Sequence, residues 1–430
     1  MYSIIEKIHK FKETVQMSKD GKIVFENIGY LTLLQIAGYI FPLITLPYLA
    51  RVIGAEGFGK IAFASAIMVW VQTISDWGFN FTATRDVAQN KKDKDKTSHI
   101  FSNVLWARCL LAVVAGLLLL CAIAAIPYFR ENAAIIIITF FQVPSLILFP
   151  DWFFQAIEKM KYTTYFSLLV KLLFTIAVFV FIQEKDDYIF QPLLITLGYL
   201  FCGIGALFLI LKKWGYTLYK PQWDDIFNTI KGSYDVFINN IMPNFYNSFS
   251  VLLLGFWGGS TANGFYDGGS KFPTIFYNFQ SVLSRAFFPF LSRKPDKQSL
   301  YSKLNIGISV IGSTILIVLA PFVVNALLGS EFKNSVVVMQ ILSVSLVFLA
   351  MSNSYGTNYL IIHHKEKPLR NLTFVSSLIG MCISFPLVYN FSYIGASITV
   401  LMCRAFLGIG AYIMAKRIIK SKKHIIINNM

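Results

Sequence analysis

Apolar runs of about 20 residues, the length an α-helix needs to cross the hydrocarbon core of a bilayer, follow one another along almost the whole chain. Twelve candidate spans lie near residues 27–49, 58–80, 100–126, 132–153, 162–182, 190–211, 233–257, 264–291, 303–328, 334–361, 371–389 and 394–415. No segment between them is long enough to fold as a separate soluble domain. Composition agrees: 56% of the residues are hydrophobic and 14% charged, with a mean hydropathy of +0.60, whereas a soluble domain carries about 25% charged residues. The pattern predicts an all-α integral membrane protein.

The formal net charge of +16 raises the question of nucleic acid, and the distribution of that charge answers it. With both ends in the cytoplasm, the inside segments hold 28 of the 38 Lys and Arg, and the outside loops hold five: Arg51, Lys60, Arg130, Lys185 and Lys333. This is the asymmetry of a multi-pass membrane protein with an even number of spans. The excess charge is topological, and the chemistry calls for a lipid bilayer rather than nucleic acid.

Residues 1–26 are polar and basic, without an apolar core followed by a small-residue cleavage site, so no cleaved signal peptide is expected. Ile4, Ile5, Ile8 and Phe11 recur at helical spacing among lysines, which suits either a helix on the membrane surface or a basic tail. A second basic segment closes the chain at 418–430. Cys109, Cys121, Cys202, Cys382 and Cys403 all fall inside apolar runs, with no CxxC pair, and read as small packing residues. His363 and His364 adjoin Lys365 in a basic loop and read as a solvated pair. No metal site and no cofactor is indicated.

The longest connection, residues 212–232, divides the spans into 27–211 and 233–417, six on each side. The two parts open alike. YIFPLITLPYLARVIGAEGFGKIAFA has a Pro-broken helix, a short turn and Gly-Phe at the next helix, and NIMPNFYNSFSVLLLGFWGGSTANGFYDGGSK repeats that order. Two six-span repeats of one orientation are how two-lobed transporters are built; a single twelve-helix bundle is the alternative. Prolines 42, 47, 144, 150, 243, 273, 289 and 321 lie in or at the ends of spans, where each removes a backbone hydrogen bond and predicts a kink.

Catalytic motifs are absent: the sequence has no nucleophile elbow, no HExxH, no P-loop and no acidic pair in a sizeable loop. Charge inside the spans is what remains, at a cost of about 2.5–3.5 kcal/mol per residue near a helix centre. The residues concerned are Arg108, Lys171, Lys271, Arg285 and Arg404. The carboxylates available to pair with them, Asp76, Asp235 and Asp267, stand nearer the span ends. Cations therefore outnumber partners at depth, and a hydrated cavity that attracts anions accounts for them, with snorkelling or a structural ion pair as the alternative for any one residue. Asp267, placed in the first turn of the eighth span, is spaced i, i+4 from Lys271. Gly268 and Gly269 between them let either a polar head group or a neighbouring helix approach the backbone.

Several of these stretches together, YIFPLITLPYLARVIGAEGFGKIAFA, SDWGFNFTATRDVA, FPDWFFQAIEKMKY, GFYDGGSK and RAFFPFLSR, resemble the Wzx-type O-antigen and polysaccharide repeat-unit flippases of the multidrug/oligosaccharidyl-lipid/polysaccharide exporter superfamily. The resemblance is close over residues 27 to about 295 and continues by helix spacing. It implies a MATE-like, V-shaped transporter of two six-helix lobes in the bacterial inner membrane. The implied substrate is an undecaprenyl-diphosphate-linked oligosaccharide, carried from the cytoplasmic to the periplasmic leaflet by alternating access. The polysaccharide polymerase and chain-length machinery are the protein partners such a role implies. Residue by residue, the family's second-span acidic and basic positions match Asp76 and Arg85, the Arg before the first outer turn matches Arg51, and the eighth-span Lys matches Lys271. Ser270 stands where many relatives carry Asp, one turn after Asp267. The resemblance and the intramembrane charge together nominate Lys271, Arg108, Lys171, Arg404, Arg285 and Arg51 for the substrate head group. Asp76, Arg85, Asp235 and Asp267 are nominated for ion coupling or ion pairing. A drug or cation antiporter of the same superfamily is a second reading, for which the cavity would be dominated by carboxylates. A membrane-embedded polymerase or ligase is a third, for which large exterior loops are missing.

Overall fold

A computed structural model describes residues 19–428 except His364. The amphipathic stretch at Ile4, Ile5, Ile8 and Phe11 lies outside the described residues. Among the described residues there are helices and turns but no strand. The long helices are α1 (Lys19–Asp76), α2 (Phe79–Gln89), α3 (Lys94–Ala125), α4 (Met160–Phe181), α5 (Phe190–Phe208), α6 (Ser248–Arg293), α7 (Gln298–Leu327), α8 (Ser335–Met351) and α9 (Glu366–Asn428). Between α3 and α4 the fourth span is built in pieces, Ala133–Phe140, Gln142–Leu148 and Asp151–Ala156, the last two parted by Phe149 and Pro150.

Eight continuous stretches among the described residues are long and apolar enough to cross a membrane. Twelve spans were read from the sequence; two of the eight stretches contain two legs each, and α6, which is not among the eight, supplies the remaining pair. Three of the rods are not straight: α1 is interrupted at Gly54 (φ 66°, ψ −176°), α6 at Gly259 (φ 74°, ψ 179°) and α9 at Ser392 (φ 51°, ψ −129°). Each interruption splits a rod into two legs, and the first legs of α1 and α6 are the paired openings of the sequence repeat. In α1 and α6 the reversal falls at glycine, which enters that region of φ and ψ without steric cost; in α9 a serine adopts a positive φ instead. Pro42, Pro47, Pro321 and Pro386 by contrast lie within running helix, and Pro243 sits in a short 3₁₀ turn, Met242–Phe245.

The hydrophobic core is divided along the chain. One cluster is built almost wholly from the N-terminal half, around Phe63, Phe79, Phe101, Phe153 and Phe154. Smaller ones, around Leu254, Val338 and Val400 and around Tyr246, Cys403 and Leu407, belong to the C-terminal half. A further cluster joins the two: Leu46 to Phe58 of α1, with Val178 and Ile182, packs on Ala320 to Phe332 and Met339. Here the second legs of α1 and α6 meet backbone to backbone. A Cβ on Gly59 would overlap the Ser260 carbonyl, and one on Gly264 would overlap the Ala55 carbonyl. Small residues in lipid allow helices to touch this closely.

The second leg of α6 starts directly after Gly259, so Asp267 lies two turns inside the helix and not in its first turn as the sequence suggested. Gly268 and Gly269 face a helix and not a head group: added Cβ atoms would meet the Phe332 ring at 3.0 Å, and the Ser335 carbonyl and Val338 at 2.6 Å.

Candidate functional site

Between the two halves lies a cavity of about 550 Å³. Its walls are the first leg of α1 from Gly38 to Ile53, then α4, the start of α5, and the second leg of α6 from Asp267 to Asn278. Most of the lining is apolar, as expected at membrane depth. The polar exceptions are few: Lys171, Lys271, Asp267, Gln191, Asn278, and the hydroxyls of Ser270, Thr45 and Thr274. Such sparse, convergent polarity in an apolar wall is the usual composition of a ligand site.

The two lysines come from different halves and differ in their company. Lys271 Nζ lies 2.9 Å from Asp267 Oδ1 and 2.7 Å from Asp267 Oδ2, one helical turn away. Lys171, on α4, has no hydrogen-bond or ion-pair partner among the described residues, and Gly38 across from it leaves room for its ammonium, which lies 4.0 Å from where a Cβ would stand. A partly buried ammonium without a counter-charge is expensive in a medium of low dielectric. One carboxylate therefore faces two ammonium groups, and the cavity carries a net positive charge that an anion would neutralise.

The other residues nominated from the sequence lie elsewhere. Arg108 is 4% exposed and its guanidinium pairs with Asp76 inside the N-terminal half. Asp76 thus has Arg108 as its partner, and Arg85 pairs instead with its neighbour Asp86 at 2.9 Å on the surface. Arg404 donates to Ser345 Oγ at 2.9 Å and stands 5.9 Å from the centre of the Tyr277 ring, within the C-terminal half. Arg285 is exposed and donates weakly to the Ser281 carbonyl, 3.4 Å away. Asp235 is exposed in the first turn of the helix Tyr234–Ile241, where a carboxylate suits the helix dipole. Arg51 donates to the Ala326 carbonyl at 2.9 Å, at the end of α7.

Three residues were not nominated from the sequence. Gln191 and Asn278 bring uncharged hydrogen-bonding groups to the cavity, and in sequence each is one amide among many. Glu331 accepts from the Ala55 backbone N–H at 3.0 Å; as a carboxylate in a short turn it gave no signal beyond its charge.

Comparison with known proteins bears on this geometry. A family model described as "Polysaccharide biosynthesis protein" matches residues 24–294. A protein of Escherichia coli (strain K12) named "Putative O-antigen transporter" is 29% identical over 386 residues, covering 87% of this chain and 92% of that protein. Among solved structures, a lipid II flippase MurJ in an inward closed conformation superposes with a TM-score of 0.73 at 11% identity, covering 91% of this chain and 87% of the other. An inward-facing MATE family transporter of the MOP superfamily gives 0.69 at 13% identity, with 93% and 99% covered. The architecture is therefore the helical membrane fold of those transporters.

Proposed function

From the chain's membership of the polysaccharide biosynthesis protein family, in which it stands with the Wzx-type flippases, we propose that it moves a lipid-linked oligosaccharide across a membrane. It is a transporter and not an enzyme. The substrate we assign is an undecaprenyl-diphosphate-linked repeat unit of O-antigen or a related polysaccharide, taken from the cytoplasmic to the periplasmic leaflet of the bacterial inner membrane. The lobes are residues 27–211 and 233–417, joined by the cytoplasmic segment 212–232, with both ends of the chain cytoplasmic. The polymerase and chain-length machinery that act on the same glycan are its expected partners.

The observation that carries this reading is the pair of lysines, one from each half, facing a single cavity with one carboxylate among its described lining residues. A lysine binds phosphate as a point charge, and a diphosphate seated between Lys171 and Lys271 would be held by both halves at once. A volume of about 550 Å³ is that of a small-ligand pocket, enough for the diphosphate and the adjoining sugar, with the prenyl tail left in lipid. Rocking of the two lobes about the seated head group then exposes it to one face and next to the other. A drug or cation antiporter would need carboxylates in excess, the reverse of this lining.

The test is accumulation and rescue. Cells in which the gene is deleted should accumulate the lipid-linked repeat unit on the cytoplasmic leaflet and lose surface polysaccharide. The wild-type gene should reverse both, while the Lys171→Ala form, at equal membrane abundance, should reverse neither. Full rescue by Lys171→Ala would overturn the cavity as the head-group site.

A further inference from the structure

The face that bears the Gly54, Gly259 and Ser392 reversals is closed by more than apolar packing. The helix leg that begins at Ala55 has backbone N–H groups with no helical acceptor, and the end of α7 has carbonyls with no helical donor. Each end is served by a charged side chain from the opposite half. Glu331, in the turn after α7, accepts from Ala55 N–H at 3.0 Å. Arg51, one turn before the Gly54 reversal, donates to the Ala326 carbonyl at 2.9 Å. Anions favour helix N-termini and cations favour C-termini, so both contacts have the stabilising sign.

Gly54 is what admits the first contact. Its positive φ turns the chain, and its missing Cβ clears the Glu331 carboxylate, whose oxygens would lie 2.9 and 3.0 Å from such an atom. Close by, Phe332 is fully buried and meets Phe58 edge to face at 5.5 Å, which anchors the segment carrying Glu331.

We infer that Glu331 and Arg51 form a reciprocal latch, each capping a helix end of the other half, that holds this face shut. The latch is independent of what the cavity carries. Separation of the halves on this face breaks both caps together and restores both on closure. A charge-assisted terminal cap contributes about 1–2 kcal/mol, so loss of either should raise the open population about tenfold.

A buried reporter reads that population. Asn263, adjacent to Gly264, is 0% exposed; Asn263→Cys, with the five native cysteines replaced, should react with a water-soluble maleimide only when this face opens. On the purified full chain in lipid nanodiscs, Glu331→Ala and Arg51→Ala should each speed labelling about tenfold, and together by the product of the two. Arg51→Lys, which keeps a donor and a charge, should label close to the parental rate. A Val104→Cys reporter, 1% exposed in the core of the N-terminal half, should stay unreactive throughout. Parental labelling rates in either alanine variant would overturn the latch, and so would a matching rise at the Val104 reporter, which would mean loss of the fold.

Discussion

Two kinds of membrane cation are present here, and substitution should separate them. Arg108 is buried with Asp76, and removing one partner of such a pair strands the other at a cost of about 3–5 kcal/mol. Arg108→Ala should therefore lower membrane abundance and thermal stability, and transport should fall only in proportion to the protein lost. Lys171→Ala strands nothing and should do the opposite, leaving abundance and unfolding temperature unchanged while transport is lost. Lys271 lies between these cases, since its side chain and that of Asp267 are 40% and 24% exposed. If it serves the substrate, Lys271→Ala abolishes surface polysaccharide, and adding Asp267→Ala does not restore it. Restoration by the double change would make the pair structural. Intramembrane charge was legible in the sequence, but its orientation was not. Depth along a helix singles out Arg108 and Lys171 alike, and only the packed structure turns one toward Asp76, 32 residues away in the chain, and the other into the cavity.

The helices differ from the sequence reading at their breaks. Proline marks a missing backbone donor and is visible in sequence, yet Pro42, Pro47 and Pro321 are carried within continuous helix, as membrane helices can do when neighbours satisfy the freed carbonyl. The reversals occur at Gly54 and Gly259, and nothing local distinguishes these glycines from Gly57 or Gly258. The repeat does distinguish them. Aligning the two openings of the sequence on their reversals places Gly59 and Gly264 at the same step beyond the turn. Both are intolerant of a side chain, and overpacking a close contact costs about 1–3 kcal/mol. Gly264→Ala should lower the unfolding temperature of the purified protein by several degrees. Gly307→Ala, where nothing lies within 4 Å of the new methyl group, should leave it unchanged or slightly raised, because alanine favours helix. Equal effects at the two positions would contradict the close approach.

Seen whole, the molecule has one face of basic loops and one of tight turns. Lys91 and Glu158 pair at 2.6 Å, and Ser98 and Ser102 accept from the Thr217 and Tyr219 N–H groups, which gathers three basic connections on one side. The Gly54 and Glu331 turns meet on the other. Reporter fusions at Lys185 and Glu331 should accordingly read periplasmic, and fusions at Lys220 and Lys297 cytoplasmic; a cytoplasmic reading at Glu331 would refute the orientation of the second half. The membrane-spanning, all-helical character was legible because lipid acts on composition, whereas the contact between the halves depends on shape and was not. That contact has a consequence for symmetry. Gly59 rests on Ser260, the residue after one reversal, and Gly264 rests on Ala55, the residue after the other, which is the two-for-two exchange found in a symmetric homodimer. A single half paired with its own copy would make the same exchange, whereas the cross-capping by Arg51 and Glu331 joins residues that differ between the halves.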